Sequence, residues 1–119
     1  MTDANPICHI ELPSTDLRIS KEFYERVFGW RVELLDDGEY AFFREPTVSG
    51  GFDPARMPSP DDSGPRVMIE VASIEDKIKE IVEAGGKLLK QRTLISEDFG
   101  YYALFRDPSG NTLGLWSKK

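Results

Sequence analysis

Hydrophobic and polar positions follow a helical spacing in two segments of the chain. The first predicts a helix over Leu17–Phe28, with an apolar side and a charged side. Asp16 stands where its carboxylate can cap the free N–H groups of the first turn, and Gly29 suits the left-handed position after the last one. The residues at its two ends therefore predict where this helix begins and where it ends.

The second helical segment is predicted at residues 74–84. Its apolar positions fall at i, i+4, i+7 and i+8 and predict one buried stripe, formed by Ile74, Ile78, Ile81 and Val82. Ser73 with Asp76 resembles a capping box, and Gly85 with Gly86 ends the segment.

Alternating and apolar runs predict one strand before each helix and three strands after it. The predicted strands cover residues 8–13, 31–35, 39–44 and about 47–52 in the first half, and 66–71, 87–90, 101–106 and 112–116 in the second. Asp36-Asp37-Gly38 is typical of a hairpin turn, and Pro108 presets φ in a turn over 107–111.

The two halves repeat each other. Residues 40–46 (YAFFREP) and 102–108 (YALFRDP) share five of seven residues at an offset of 62. We therefore predict an α+β fold of two βαβββ modules that form a curved, partly open mixed sheet around a cavity, with helices on the outer face. A single domain over 1–119 would hold module 1 at about 5–52, an exposed linker rich in Pro, Asp and Ser at 53–65, and module 2 at about 66–117.

Strand alternation separates the side chains that face the helices from those that face away. Cys8, Ile10 and Leu12 form the apolar side of the first strand, and Cys8 is expected to be buried. The face without helices carries His9, Glu11, Arg66, Glu70 and Trp116. We predict that they line a ligand pocket together with Tyr102 and, unless it packs in the core, Trp30. Two alternatives stay open: a polar cluster in which His9 and Glu11 pair with Arg66, and ordinary core or dimer packing of the aromatic side chains.

Composition excludes several classes of partner. The net charge is −6 and the basic residues are scattered, so we expect no nucleic-acid partner. No apolar run reaches the ~20 residues that span a membrane. A single cysteine and the absence of a signal pattern predict a cytoplasmic protein.

The repeat, the opening His9-Ile10-Glu11-Leu12-Pro13, the Phe28-Gly29-Trp30 helix end and the closing 107–111 turn resemble the vicinal oxygen chelate superfamily. That group includes glyoxalase I, bleomycin and fosfomycin resistance proteins and extradiol dioxygenases, and the nearest likeness is to its glyoxalase-like branch. The resemblance implies a U-shaped sheet around a cavity, often completed by a second chain in a homodimer. It also implies a divalent metal held by the first and last strand of each module.

The positions that the resemblance assigns to the metal are mostly changed. His9 matches, whereas the other positions hold Arg66, Gly114 and the segment 50–52, none of which offers a ligand. Since a catalytic metal needs about three protein ligands, we predict a binding protein without the usual metal site and without an assigned cofactor. Its ligand would be aromatic or anionic, and the ligand-binding residues would be His9, Glu11, Arg66, Glu70, Tyr102 and Trp116.

The alternative function is enzymatic. A metal site rebuilt from His9, Glu11 and Glu70, or Glu11 or Glu70 as a general base, would support a lyase or isomerase of the glyoxalase type. A ring-cleaving dioxygenase fits less well, because that chemistry uses two histidines and the chain has one. A third possibility is a regulatory domain whose vestigial pocket is filled by Trp116 and Met68.

Overall fold

The computed structural model describes residues 4–59 and 63–119 and shows the order βαβββ twice. The first set is β1 (His9–Pro13), α1 (Leu17–Phe28), β2 (Arg31–Leu34), β3 (Ala41–Arg44) and β4 (Ser49–Asp53). The second is β5 (Met68–Glu70), α2 (Ile74–Glu83), β6 (Lys87–Ser96), β7 (Gly100–Arg106) and β8 (Thr112–Ser117). The predicted α+β class and the repeat are therefore confirmed. The chain divides into two compact units, one ending at Met57 and one beginning at Pro58.

Each unit holds one mixed, open sheet of four strands. The strand order is β1-β4-β3-β2 in the first sheet and β5-β8-β7-β6 in the second, and only the first pair in each is parallel. Glu11 lies opposite Gly51 in the first sheet, and Met68 lies opposite Gly114 in the second. This register confirms the predicted equivalence of positions 11 and 68.

The helix α1 begins and ends as its sequence predicts. The Asp16 carboxylate accepts hydrogen bonds from the backbone N–H groups of Arg18 and Ile19 at 3.0 and 3.1 Å. Gly29 adopts a left-handed φ of 69°, and its N–H group closes the last turn on the carbonyl of Glu25.

The core of the first unit is an aromatic stack under α1. Trp30 is 8% exposed and lies between the rings of Tyr24 and Phe43, each 4.7 Å away by ring centroid. Phe52 completes the stack from β4. The core-packing interpretation of Trp30 is therefore confirmed, because the indole is buried on the helix side of the sheet.

Three expectations need correction. Cys8 is exposed, because it precedes β1, which begins at His9, and is not part of the strand that packs under α1. Val82 is 52% exposed, so the buried stripe of α2 is narrower than its apolar pattern. The strand β6 runs to Ser96 rather than 90, and its pairing with β7 shifts register at three places.

The predicted linker is exposed at most of its described positions, and its residues 60–62 lie outside the described part of the chain. No helix in the described ranges is both long and apolar enough to cross a membrane.

The turn after β7 is organised by one buried carboxylate. Asp107 is 4% exposed, and it accepts hydrogen bonds from the backbone N–H groups of Ser109 and Asn111 and from the Asn111 side chain, at 2.9 to 3.0 Å. The predicted turn is thus confirmed, and its stability rests on Asp107 rather than on Pro108 alone.

We expect Asp107→Ala to lower the free energy of unfolding by about 2–3 kcal/mol, because it leaves buried N–H donors without an acceptor. Asp37→Ala is the matched control: its carboxylate also holds a turn, but it is exposed and accepts from the backbone N–H of Glu39. That change should cost less than about 1 kcal/mol. Urea unfolding followed by circular dichroism measures both, and equal losses would contradict this account of the turn.

Candidate functional site

The face of the first sheet that points away from α1 carries a polar cluster, formed by His9, Glu11, Tyr40 and Arg56. Strand β1 places His9 and Glu11 on this face, because the alternate residue Leu12 is buried under the helix. Tyr40 enters from the hairpin before β3, and Arg56 from the turn after β4. Sequence reasoning found the first two residues and missed the other two.

The phenol of Tyr40 joins the members of the polar cluster. Its hydroxyl donates a hydrogen bond to Glu11 Oε2 at 2.9 Å and lies 2.8 Å from His9 Nε2. The other carboxylate oxygen, Glu11 Oε1, is 3.7 Å from Arg56 Nη1. His9 and Glu11 are thus brought together by a third side chain, and the cationic partner of Glu11 is Arg56, which replaces Arg66 in the alternative raised from the sequence.

Burial and the adjacent carboxylate keep the Tyr40 phenol protonated. Loss of water around the half-buried ring raises the pKa of Tyr40 most, and the hydrogen bond to Glu11 with its negative charge adds to the effect. Together they raise the pKa of Tyr40 to about 12.

The position of the Tyr40 ring depends on Gly51. A Cβ at residue 51 would overlap the hydroxyl and the ring of Tyr40, so the phenol occupies the space where any other residue would place its side chain. The signal that could have revealed Tyr40 is the pair Gly50-Gly51 in a strand, because glycine inside a strand often marks a close approach.

An exposed aromatic ring borders the polar cluster. Phe42 lies opposite Gly51 in the register of β3 and β4 and is 44% exposed. Its ring meets the ring of Tyr40 edge to face at 5.1 Å and that of His9 at 6.4 Å. The face therefore combines an apolar platform with polar groups at its border.

The second sheet carries the remaining predicted residues. Glu70 and Tyr102 lie on either side of Trp116 in neighbouring strands, and all three share the face away from α2. The indole N–H of Trp116 donates to the carbonyl of Phe99 at 2.7 Å, and Lys90 Nζ stands 5.2 Å from the centre of the Tyr102 ring. This surface is aromatic with a flanking cation.

Arg66 and Glu70, two of the predicted ligand-binding residues, are both exposed. Arg66 precedes β5 and lies outside the strand. The second sheet repeats the glycine feature, because Met68 lies over Gly114, where a Cβ would overlap its sulfur. Both last strands therefore hold a glycine that a neighbouring side chain covers.

The residues present do not fit the metal that the resemblance implies. Of its four positions, only His9 offers a donor, and Nε2 of that imidazole is already engaged by Tyr40. The last-strand positions are Gly51 and Gly114, whose side-chain space is filled. Across residues 4–59 and 63–119, no three His, Cys, Asp or Glu side chains come together as metal ligands.

These features define a class of protein. Its chain repeats the order βαβββ, carries aromatic and polar side chains on the sheet faces away from the helices, and lacks most of the metal ligands that the resemblance implies. The family model described as the glyoxalase/bleomycin resistance protein/dioxygenase superfamily matches residues 7–115. The chain therefore belongs to this superfamily, and the predicted resemblance is confirmed.

Two curated proteins are similar to the chain in sequence. It is 28% identical over 118 residues to the putative glyoxylase CFP32 of Mycobacterium bovis and of Mycobacterium tuberculosis, with 90% of this chain covered. The chain spans 43% of the length of these relatives.

Solved structures share the fold. A glyoxalase/bleomycin resistance protein/dioxygenase family enzyme from Burkholderia phytofirmans matches with a TM-score of 0.75 and 14% identity, over 93% of this chain and 97% of that one. Glyoxalase I from Zea mays matches with a TM-score of 0.73 and 22% identity, over 95% of this chain and 46% of that one.

We expect the ionisation of Tyr40 to appear near pH 12, about two units above an ordinary tyrosine. The difference in tyrosinate absorbance between the wild type and Tyr40→Phe isolates this residue among the four tyrosines. Because the folded-state pKa is raised, the associated stabilisation is complete below about pH 10 and is lost as the pH rises towards 12.

Glu11→Gln should lower this pKa part of the way towards 10, because it removes the negative charge but not the burial. Glu39→Gln is the control, since Glu39 is exposed and does not contribute to the shift. A Tyr40 that ionises at pH 10 in the wild type would contradict the described geometry.

Proposed function

We propose that this chain is a small-molecule-binding member of the superfamily that works without the usual metal site. One observation carries the proposal: at both last-strand positions where the resemblance places a ligand, a glycine is covered, by Tyr40 at Gly51 and by Met68 at Gly114. A carboxylate at position 51 would displace the Tyr40 ring, and one at position 114 would displace the flexible end of Met68. The side chains of Tyr40 and Met68 thus occupy the space that these metal ligands would need.

The ligand that suits these faces is a flat aromatic compound. Phe42 offers an exposed ring in the first unit, and Tyr102 and Trp116 offer half-exposed rings in the second. Aromatic side chains bind flat apolar molecules by stacking, with polar groups that fix the orientation. Lys90, close to Tyr102, supports an anionic substituent on such a ligand.

Binding without chemistry also agrees with the state of the two candidate general bases. Glu11 accepts from Tyr40 with one oxygen and faces Arg56 with the other, so its role is to position Tyr40. Glu70 is exposed to solvent rather than enclosed in a site that could exclude water from a reaction. Within the first unit, Nε2 of His9 and both oxygens of Glu11 already face neighbouring side chains, which supports binding over metal chemistry.

The proposal predicts that protein treated with a chelator binds aromatic probes such as 2-naphthol or 2-naphthoate, with a Kd on the order of 10 μM to 1 mM. Isothermal titration calorimetry measures the affinity. Phe42→Ala should weaken binding of 2-naphthol about tenfold, because the exposed platform is lost. Ile19→Ala is the matched control, since it removes an exposed apolar side chain from α1 on the other face of the sheet.

Two outcomes would contradict this function. One is the absence of binding for every aromatic probe. The other is stoichiometric Zn, Ni, Mn or Fe in protein purified without chelators, if the metal is lost in His9→Ala. That result would favour the metal-dependent alternative.

We further propose that the protein is a cytoplasmic homodimer. The single cysteine of the chain supports a reducing compartment. Large apolar side chains exposed on β6 support a second chain as their cover: Leu88, Leu89, Leu94 and Ile95.

Sedimentation at micromolar concentration should give a mass near twice 13.5 kDa. Leu89→Glu should shift the equilibrium towards the monomer, because it places a charge in the proposed interface. Lys79→Glu, an exposed change on α2, is the control and should leave the mass unaltered. A wild-type species of 13.5 kDa would contradict the homodimer.

A further inference from the structure

The hydrogen-bond inventory of the polar cluster determines which nitrogen of His9 carries a proton. The Tyr40 hydroxyl has one hydrogen, and it is donated to Glu11, because a carboxylate can only accept. The bond of 2.8 Å between Tyr40 and His9 must therefore be donated by the imidazole, from Nε2–H. In a neutral imidazole the other nitrogen, Nδ1, is then a free acceptor.

The surroundings leave this acceptor available. His9 is exposed, and within the described part of the chain the polar contact of its ring is the one made by Nε2. The exposed ring of Phe42 stands beside it, nearly perpendicular to the imidazole, with an interplanar angle of 79°. An aromatic ligand resting on Phe42 would lie next to the imidazole, whose ring centroid is 6.4 Å from that of Phe42.

We infer that the first unit selects an aromatic ligand that carries a hydrogen-bond donor, such as a phenol or an aromatic amine, through Nδ1 of His9. The inference rests on the proposed function, since it specifies the ligand of that face. Phe42 provides the contact area, and Nδ1 of His9 accepts a hydrogen bond from the donor of the ligand. Tyr40 and Glu11 are positioning residues, because they act on the ligand only through the imidazole.

An anionic ligand fits this unit less well. Arg56 is already directed at Glu11, and the carboxylate next to it repels a second anion. Arg44 lies two strands away from His9, opposite Ser49, at roughly 10 Å in the sheet. A naphthoate probe shows whether that arginine, rather than His9, sets the preference.

The protonation of His9 can be measured without any ligand. The chain has a single histidine, so a long-range ¹H–¹⁵N correlation spectrum of the full-length protein at neutral pH shows one imidazole. We expect a protonated Nε2 and an unprotonated Nδ1. In Tyr40→Phe the imidazole is released, and its signals should move towards the average of the two tautomers.

Ligand selection is tested with two probes of the same shape, 2-naphthol and 2-methoxynaphthalene, of which only the first can donate a hydrogen bond. The wild type should prefer 2-naphthol by roughly fivefold, the contribution of one hydrogen bond. In His9→Phe, which keeps a ring but has no acceptor, the preference should disappear. Phe42→Leu should weaken the binding of both probes equally and leave the ratio of their Kd values unchanged.

Each outcome decides between the two proposals. Three results would overturn this inference and leave the proposed function standing. They are equal affinity of the wild type for 2-naphthol and 2-methoxynaphthalene, an unaltered preference in His9→Phe, and a protonated Nδ1. Tighter binding of 2-naphthoate than of 2-naphthol that is lost in Arg44→Gln, but kept in His9→Phe, would also overturn it. Failure of all three probes to bind would overturn both proposals.

Discussion

The contact between the Tyr40 ring and the backbone of Gly51 is the constraint on which the rest of the site depends. A strand position without a side chain lets the phenol lie directly on the sheet, and the ring then brings its hydroxyl between His9 and Glu11. Any larger residue at position 51 would displace the ring and separate the imidazole from the carboxylate. The conformational cost of glycine in a strand is therefore offset by a hydrogen-bonded group that the first unit could not otherwise assemble.

The second unit also has a strand glycine that is covered by a side chain, but a different type of side chain covers it. Gly114 occupies the position in β8 that Gly51 occupies in β4, and it is covered by the thioether of Met68 instead of a phenol. Met68 is also the counterpart of Glu11 in the register, so a carboxylate in one unit is matched by an apolar, flexible side chain in the other. The face of the first unit thus centres on a hydrogen-bonded polar cluster, whereas that of the second centres on aromatic rings with a flanking cation.

The sequence was sufficient wherever one residue determines a local conformation. The caps Asp16 and Gly29 and the turn at Asp107 act over a few residues, and so the helix α1 and the turn after β7 were predicted correctly. The extension of β6 was missed, because register shifts against β7 break the alternation that signals a strand. Tyr40 and Arg56 were missed because their partner, Glu11, is 29 or more residues away, and such pairing leaves no local pattern.

The same geometry explains why the polar cluster suits recognition better than metal chemistry. A metal ligand must present a free lone pair towards a shared centre, and its neighbours must do the same. In this cluster Nε2 of His9 is directed at Tyr40, and the two oxygens of Glu11 are directed at Tyr40 and Arg56. The polar atoms thus satisfy one another, and the lone pair of Nδ1 is what the group still offers. One acceptor beside one exposed ring can orient a ligand, whereas a catalytic metal needs about three ligands directed at one centre.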